Sequence, residues 1–256
     1  MAIPLNSKEQ QFDSAAVTHR GNLRQNNEDS IFANPEMGLW LVADGMGGHR
    51  DGKLASGLIA EAARKITSRG SLDELAADLR FRIASVNEAL VNISNGQHDL
   101  IAGSTVAALL LGQASYCCLW IGDSRCYLVR AAKIMQLSHD HTEVQHLVDE
   151  GAITQAEAKC WPRRHVITRA VGVDRNLGLE QVAGTVEPGD CFVLCSDGLT
   201  GHVDDGEILA ATQRSTAEAT CDKLLALALQ RGGKDNISII IVNVASRDAT
   251  IVVSRW

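Results

Sequence analysis

Four aspartates in this 256-residue chain each stand beside or close to a glycine at the edge of a short apolar run. Asp44 follows Leu39-Trp40-Leu41-Val42-Ala43 and precedes Gly45, and Asp123 follows Ile121-Gly122. Asp197 follows Leu194-Cys195-Ser196 and precedes Gly198, while Asp235 lies between Gly232-Gly233-Lys234 and the run that opens at Ile237. Aspartate is a hard oxygen donor suited to Mg²⁺ or Mn²⁺, ions that usually retain several waters. Glycine at such places permits unusual backbone angles and lets a ligand approach the main chain. Ionised carboxylates that converge need cations between them. One Asp-Gly pair alone reads as a turn. Four of these aspartates at buried strand edges are better accounted for by metal binding.

The polar segment Gly21-Asn22-Leu23-Arg24-Gln25-Asn26-Asn27-Glu28-Asp29 adds a lone arginine and an acidic pair. A guanidinium can hold two phosphate oxygens at once, which makes Arg24 a natural phosphate anchor. Taken alone, the segment reads equally well as a loop carrying a surface arginine. The formal net charge is −7, so a phosphate dianion would be repelled unless bound cations reversed the field locally.

Short apolar runs bounded by turn residues are expected as buried strands. They are Leu39 to Ala43, Tyr116 to Ile121, Cys191 to Cys195 and Ile237 to Val242, with two more around Thr105 to Leu111 and Cys126 to Arg130. Helical periodicity marks Leu54 to Ile66, Leu72 to Ile93 and Ala217 to Gln230, the last stopped by Gly232-Gly233. Glu143 to Glu150 and Gln155 to Lys159 read as short helices in a polar segment closed by Trp161-Pro162. Strands come in groups with helices between the groups, which favours antiparallel sheets covered by helices over a doubly wound parallel sheet. No repeat, low-complexity tract or linker interrupts the sequence, so a single domain over residues 1–256 is expected.

Hydrophobic residues make up 45% of the chain, charged residues 21% and aromatics 4%, so the core must be mainly Leu, Val, Ile and Ala. Arg163-Arg164-His165, the strongest basic cluster, is too short for a nucleic-acid groove. Seven cysteines, an odd number with no CxxC pair, favour neither a disulfide framework nor a thiolate zinc site. Reduced thiols, no basic leader and no membrane-length apolar run lead to the expectation of a soluble cytoplasmic protein without membrane or nucleic-acid partners. Asp44-Gly45-Met46-Gly47-Gly48 lacks the Gly-Lys-Ser/Thr of a phosphate-cradling loop. His139-Asp140-His141 with His146 lies in polar sequence that does not favour a zinc site. There is no Gly-x-Ser-x-Gly elbow and no cysteine nucleophile followed by an arginine loop.

Eight motifs in order carry a family resemblance. They are GNLRQNNED (Gly21 to Asp29), VADGMGGH (Val42 to His49), AGST (Ala102 to Thr105), IGDSR (Ile121 to Arg125), LSHDHT (Leu137 to Thr142), ITRAVG (Ile167 to Gly172), CSDGL (Cys195 to Leu199) and GGKDN (Gly232 to Asn236). Together they resemble the PPM (PP2C-like) family of metal-dependent protein phosphatases, in its compact bacterial form, over a core of about residues 17–244. The resemblance implies an α+β fold, an α-β-β-α sandwich of two antiparallel sheets flanked by helices, with a flap over about residues 139–168. It also implies two Mn²⁺ or Mg²⁺ ions. Asp44 would bridge them, Gly45 would offer its carbonyl oxygen, and Asp197 and Asp235 would complete the ligands. Asp123 with Asp197 matches the position of a third, weaker metal. Glu28 and Asp29 match residues that orient metal-bound waters, and Asn236 lies beside the last ligand. Some relatives, notably eukaryotic ones, carry another aspartate where this chain has Gly201, so the third position is expected to be weaker or differently arranged.

The activity so implied is hydrolysis of phosphoserine and phosphothreonine in proteins, without a phosphoenzyme. A hydroxide shared by two ions about 3.5–4 Å apart would attack phosphorus in line, while Arg24 holds the phosphate oxygens. His49 is the candidate for protonating the leaving oxygen; many members place a histidine directly after the Asp-Gly pair, where this chain has Met46. The partners implied are a bacterial Ser/Thr kinase and its targets, met by a monomer. The rival reading is a pseudophosphatase that keeps the fold and binds phosphoproteins without cleaving them. Such a protein is expected to lose metal aspartates, and all of them are present.

Overall fold

The computed structural model describes residues 12–47, 51–68, 70–96 and 102–245. In chain order come β1 (Phe12–His19), β2 (Ser30–Asn34), β3 (Leu39–Ala43), β4 (Gly45–Met46), α1 (Asp51–Arg64) and α2 (Leu72–Gly96). There follow β5 (Gly103–Ser104), β6 (Val106–Leu111), β7 (Ser115–Ile121), β8 (Arg125–Arg130), β9 (Lys133–Gln136), α3 (Glu143–Asp149) and α4 (Gln155–Ala158). The last elements are β10 (Glu180–Thr185), β11 (Cys191–Cys195), α5 (Asp197–Thr200), α6 (Asp205–Thr212), α7 (Ala217–Gln230) and β12 (Ile237–Val244).

Two five-stranded antiparallel sheets form, β1-β12-β11-β8-β9 and β10-β7-β6-β3-β2. Alternate residues divide between two cores. Along β3, Trp40 and Val42 pack against Phe192, Leu194, Ile240 and Val242 of the other sheet. Leu39, Leu41 and Ala43 share a second core with Ile59, Leu79 and Ile83 of α1 and α2. On the opposite side Val193, Ile239 and Ile241 lie with Leu224 and Ala228 of α7. The result is the expected α-β-β-α sandwich. Central strands are covered on both faces, so antiparallel strands here read as unbroken apolar runs rather than alternating ones. Cys191 and Cys195 share the α7 face as small buried hydrophobes.

In the two large sheets, the strands that the apolar-run criterion does not single out are β1, β2, β9 and β10, each an edge strand; the two-residue strands β4 and β5, which pair with each other, are additional too. None of the edge-strand residues is fully buried: β9 and β10 alternate strictly between half-buried and exposed, β1 does so with one break, and β2 is mostly half-buried, since an edge is covered on fewer sides. Helix α1 opens at Asp51 rather than Leu54, α2 runs on to Gly96, and α5 and α6 are additional.

Strand direction then dictates where the aspartates emerge. β3 and β7 both pair antiparallel with β6, so Asp44 and Asp123 leave their sheet at one edge, where Thr105 leads into β6. β11 and β12 are antiparallel, so Asp197 after the first and Asp235 before the second also share an edge. The end of β1 and the start of β2 bring the loop from Arg20 to Asp29 to the same places.

Candidate metal centre

Asp44 feels the charges of Asp29, Asp197, Asp123 and Asp235; burial first, then these neighbours, hold its carboxyl well above the usual carboxylate range. Burial, then Asp197 and Asp140, raise Asp123 in the same way, against the opposing charge of Arg125. Asp29 is 1% exposed. Burial lifts it to about 6, although Ser238 and Ser196 hydroxyls donate to its Oδ2 at 2.6 and 2.9 Å. Its Oδ1 has no hydrogen-bond partner.

A buried carboxylate oxygen without a donor, set among other carboxylates, is costly unless a cation or its water meets it. Hard oxygens carrying surplus negative charge fit Mn²⁺ or Mg²⁺. Among the described residues, no group of three His, Cys, Asp or Glu side chains is placed to hold a metal ion as it stands.

The main chain fixes Asp44 firmly. Its N–H donates to Thr105 Oγ1 at 3.1 Å, and its carbonyl accepts from Ser104 Oγ and the Thr105 N–H, both at 2.9 Å. Thr105 Oγ1 also meets Ser124 Oγ at 2.6 Å, which links this loop to the one bearing Asp123. A Cβ at Gly45 would strike the Gly52 carbonyl in the first turn of α1, and one at Gly198 would run into the Asn236 carbonyl. Both Asp-Gly pairs thus have glycine where the backbone is approached closely.

Arg24 Nη2 lies 2.7 Å from Asp235 Oδ2, so the guanidinium sits at the rim of the acidic cluster. Glu28 is half-buried, its carbonyl accepting from Ser56 Oγ and its carboxylate lying beside Gly52 of α1. Asn236 clamps this loop. Its Oδ1 accepts from the Glu28 N–H at 2.8 Å, and its Nδ2 donates to the Arg20 and Asn26 carbonyls, both at 2.9 Å. Asn236→Ala removes all three bonds and is expected to cost about 2–4 kcal/mol, read as a lowered melting temperature, and to raise KM for phosphate esters as Arg24 drifts. An unchanged melt would show that the clamp is not needed.

His49 lies outside the described residues. Among the other described histidines, His139 meets Asp149 at 2.7 Å, His146 stands 3.2 Å from Glu150, His141 Nε2 stands 3.2 Å from Glu180 without a hydrogen bond, and His19 and His202 accept from the Gly21 and Lys234 N–H groups. His165 Nδ1 stands 3.5 Å from Asp197 Oδ2. Several supporting residues escaped the sequence reading, namely Ser196, Ser238, Thr105 and the Arg125–Asp140 pair. Ser238 alone offered a signal, as a buried hydroxyl inside the apolar run from Ile237 to Val242.

A family model for protein phosphatase 2C matches residues 18–231. The serine/threonine protein phosphatase PstP of Mycobacterium tuberculosis is 37% identical over 238 residues, which cover 91% of this chain and 45% of PstP. The chain therefore spans about half the length of that relative. Serine/threonine phosphatase stp of Listeria monocytogenes is 33% identical over 243 residues, 91% of this chain and 95% of that protein. Among solved structures, PppA, a key regulatory component of T6SS in Pseudomonas aeruginosa, is similar with TM-score 0.85 and 39% identity, covering 91% of this chain and 97% of PppA. The catalytic domain of PstP in complex with two manganese ions is similar with TM-score 0.79 and 35% identity, covering 92% and 99%. By sequence and by fold alike, the chain belongs to the protein phosphatase 2C family.

Proposed function

We propose that this protein is a serine/threonine phosphoprotein phosphatase working with two Mn²⁺ or Mg²⁺ ions. Asp44, the Gly45 carbonyl, Asp197 and Asp235 hold them, and Asp123 with Asp197 offers a third, weaker position. The observation that carries this reading is the excess of mutually repelling carboxylates at one end of the sandwich, including an unpartnered Asp29 Oδ1. Support also comes from the manganese complex of the PstP catalytic domain.

Bound ions of this kind supply an acidified water for attack and cancel the charge of the phosphate. The chain's own residues do the positioning. Asp29, fixed by two serine hydroxyls, and Glu28 orient waters beside the ions. Arg24 is parked on Asp235; once a cation engages that carboxylate, the fork is free to take two phosphate oxygens. His49 donates the proton to the leaving serine or threonine oxygen. The fold acts as one domain, with the flap over residues 139–168 beside the site. No helix of the described residues is long and apolar enough to cross a membrane, and we place the protein in the cytoplasm, as a monomer opposing a Ser/Thr kinase.

Hydrolysis of para-nitrophenyl phosphate and of a phosphothreonine peptide with Mn²⁺, abolished by EDTA, is the direct test. A protein that binds the peptide yet turns over neither substrate is instead a non-catalytic regulator. Arg24→Ala is expected to lower kcat/KM about 10- to 100-fold without weakening Mn²⁺ binding, because it removes a competitor for Asp235. An unchanged kcat/KM removes its role. His49→Ala should harm the phosphopeptide more than the aryl phosphate, whose leaving group needs less protonation; equal losses count against it.

A further inference from the structure

Beside the carboxylate cluster, a groove of about 730 Å³ opens between the flap segment and α5–α6, with Asp123 and Asp197 in its lining. Most of its charge is already engaged. On the α6 wall, Asp204 caps the helix by accepting from the Glu207 N–H at 2.9 Å, Asp205 accepts from the Tyr127 hydroxyl at 3.1 Å, and Arg231 grips Glu207. Asp140 takes three bonds from Arg125, at 2.6, 2.9 and 3.0 Å.

On the flap wall Arg163 pairs with Glu143 at 2.8 Å, and His165 reaches toward Asp197. Two cations differ from these. Lys159 and Arg164 are exposed and line the groove, and among the described residues neither side chain has a hydrogen-bond or ion-pair partner. Arg164 sits between two neighbours that are both engaged, so the stretch presenting it is held beside the site. In a protein of net charge −7, two free cations next to an acidic centre are where an anion finds an uncommitted partner.

We infer that Lys159 and Arg164 receive an anionic group flanking the phosphorylated residue, so that acidic or multiply phosphorylated segments are the preferred substrates. This rests on the phosphatase reading above and adds the substrate class. Carboxylate and phosphate share the chemistry both cations recognise, and the arginine fork suits either oxygen pair. The contact lies at the surface, so it acts on KM and weakens with salt.

The test uses the full chain with Mn²⁺ and four phosphothreonine peptides that differ only in flanks: neutral, Asp/Glu, a second phosphothreonine, or Lys. Para-nitrophenyl phosphate runs in parallel. The acidic and doubly phosphorylated peptides are expected to exceed the Lys-flanked one roughly tenfold in kcat/KM at low salt, through KM. That preference should collapse in Lys159→Ala/Arg164→Ala and turn toward the basic peptide in Arg164→Glu, with aryl phosphate turnover unchanged. Fluorescence anisotropy of a phosphonate analogue of the acidic peptide should show the same loss of binding in the double variant. A larger gain from the second phosphate marks a phosphate acceptor, and equal gains mark a general anion acceptor. Equal kcat/KM on all peptides, a preference for the Lys-flanked one, or a preference that survives the double variant overturns the inference while aryl phosphate hydrolysis keeps the phosphatase reading intact. A wild type inert toward aryl phosphate sinks both.

Discussion

Asp44→Asn is expected to cut turnover of para-nitrophenyl phosphate at saturating Mn²⁺ by at least about 1,000-fold, while the metal-free protein melts no lower than the parent. The two halves of that result have one cause. Asp44 sits where the charges of four other aspartates converge, so without metal its own charge opposes folding. The amide has nearly the same shape and removes that repulsion. The bonds that hold residue 44 in place run through its backbone N–H and carbonyl, to Thr105 and Ser104, and survive the exchange. With Mn²⁺ the same repulsion is what makes the site attractive to a cation, so the variant should also lose most of the Mn²⁺-induced rise in melting temperature. Wild-type turnover in the variant, or a metal-free melt well below the parent, would remove Asp44 from the centre.

Asp44, Asp123, Asp197 and Asp235 were legible because each borders an apolar run with glycine close by, and both signals are local. Antiparallel pairing did the rest: strands of alternating direction deliver their ends to shared edges. Partners chosen by the assembled fold were not legible. Arg24 and Asp235 are 211 residues apart, Asp29 and Ser238 are 209 apart, and spacing says nothing about either contact. Arg125 and Asp140 lie only 15 apart, yet the same stretch holds other acids and bases, and burial alone selects this pair. The edge strands stayed hidden for a related reason. A strand with one partner and partial cover needs no continuous apolar run, so β9 and β10 look like polar connections until the sheet exists.

Acidification is expected to stabilise the metal-free protein and to destabilise the Mn²⁺-loaded one. Asp29 stands at about 6 in the folded chain against an ordinary 3.8. A raised carboxyl means that the folded state binds more protons than the unfolded state between those values, so stability falls as pH rises through that window. Lowering the pH toward about 5 in EDTA should therefore recover about 1 kcal/mol from Asp29, with the full ~3 kcal/mol reached only below its unfolded value. Asp44 and Asp123 are shifted upward too and push the same way. Burial holds the His141 and His202 imidazoles below their usual range, and they oppose the trend because they resist charging on acidification. Comparison with Asp29→Asn isolates the carboxylate, since the variant keeps the histidines and should show a flatter rise. Bound Mn²⁺ reverses the sign because its ligands must be deprotonated, so protons and metal compete for the same oxygens. Melting temperature against pH, in EDTA and in Mn²⁺, reads both slopes. A parent and an Asp29→Asn variant with the same slope in EDTA would mean that this carboxylate is not under the charge pressure that draws metal to the site.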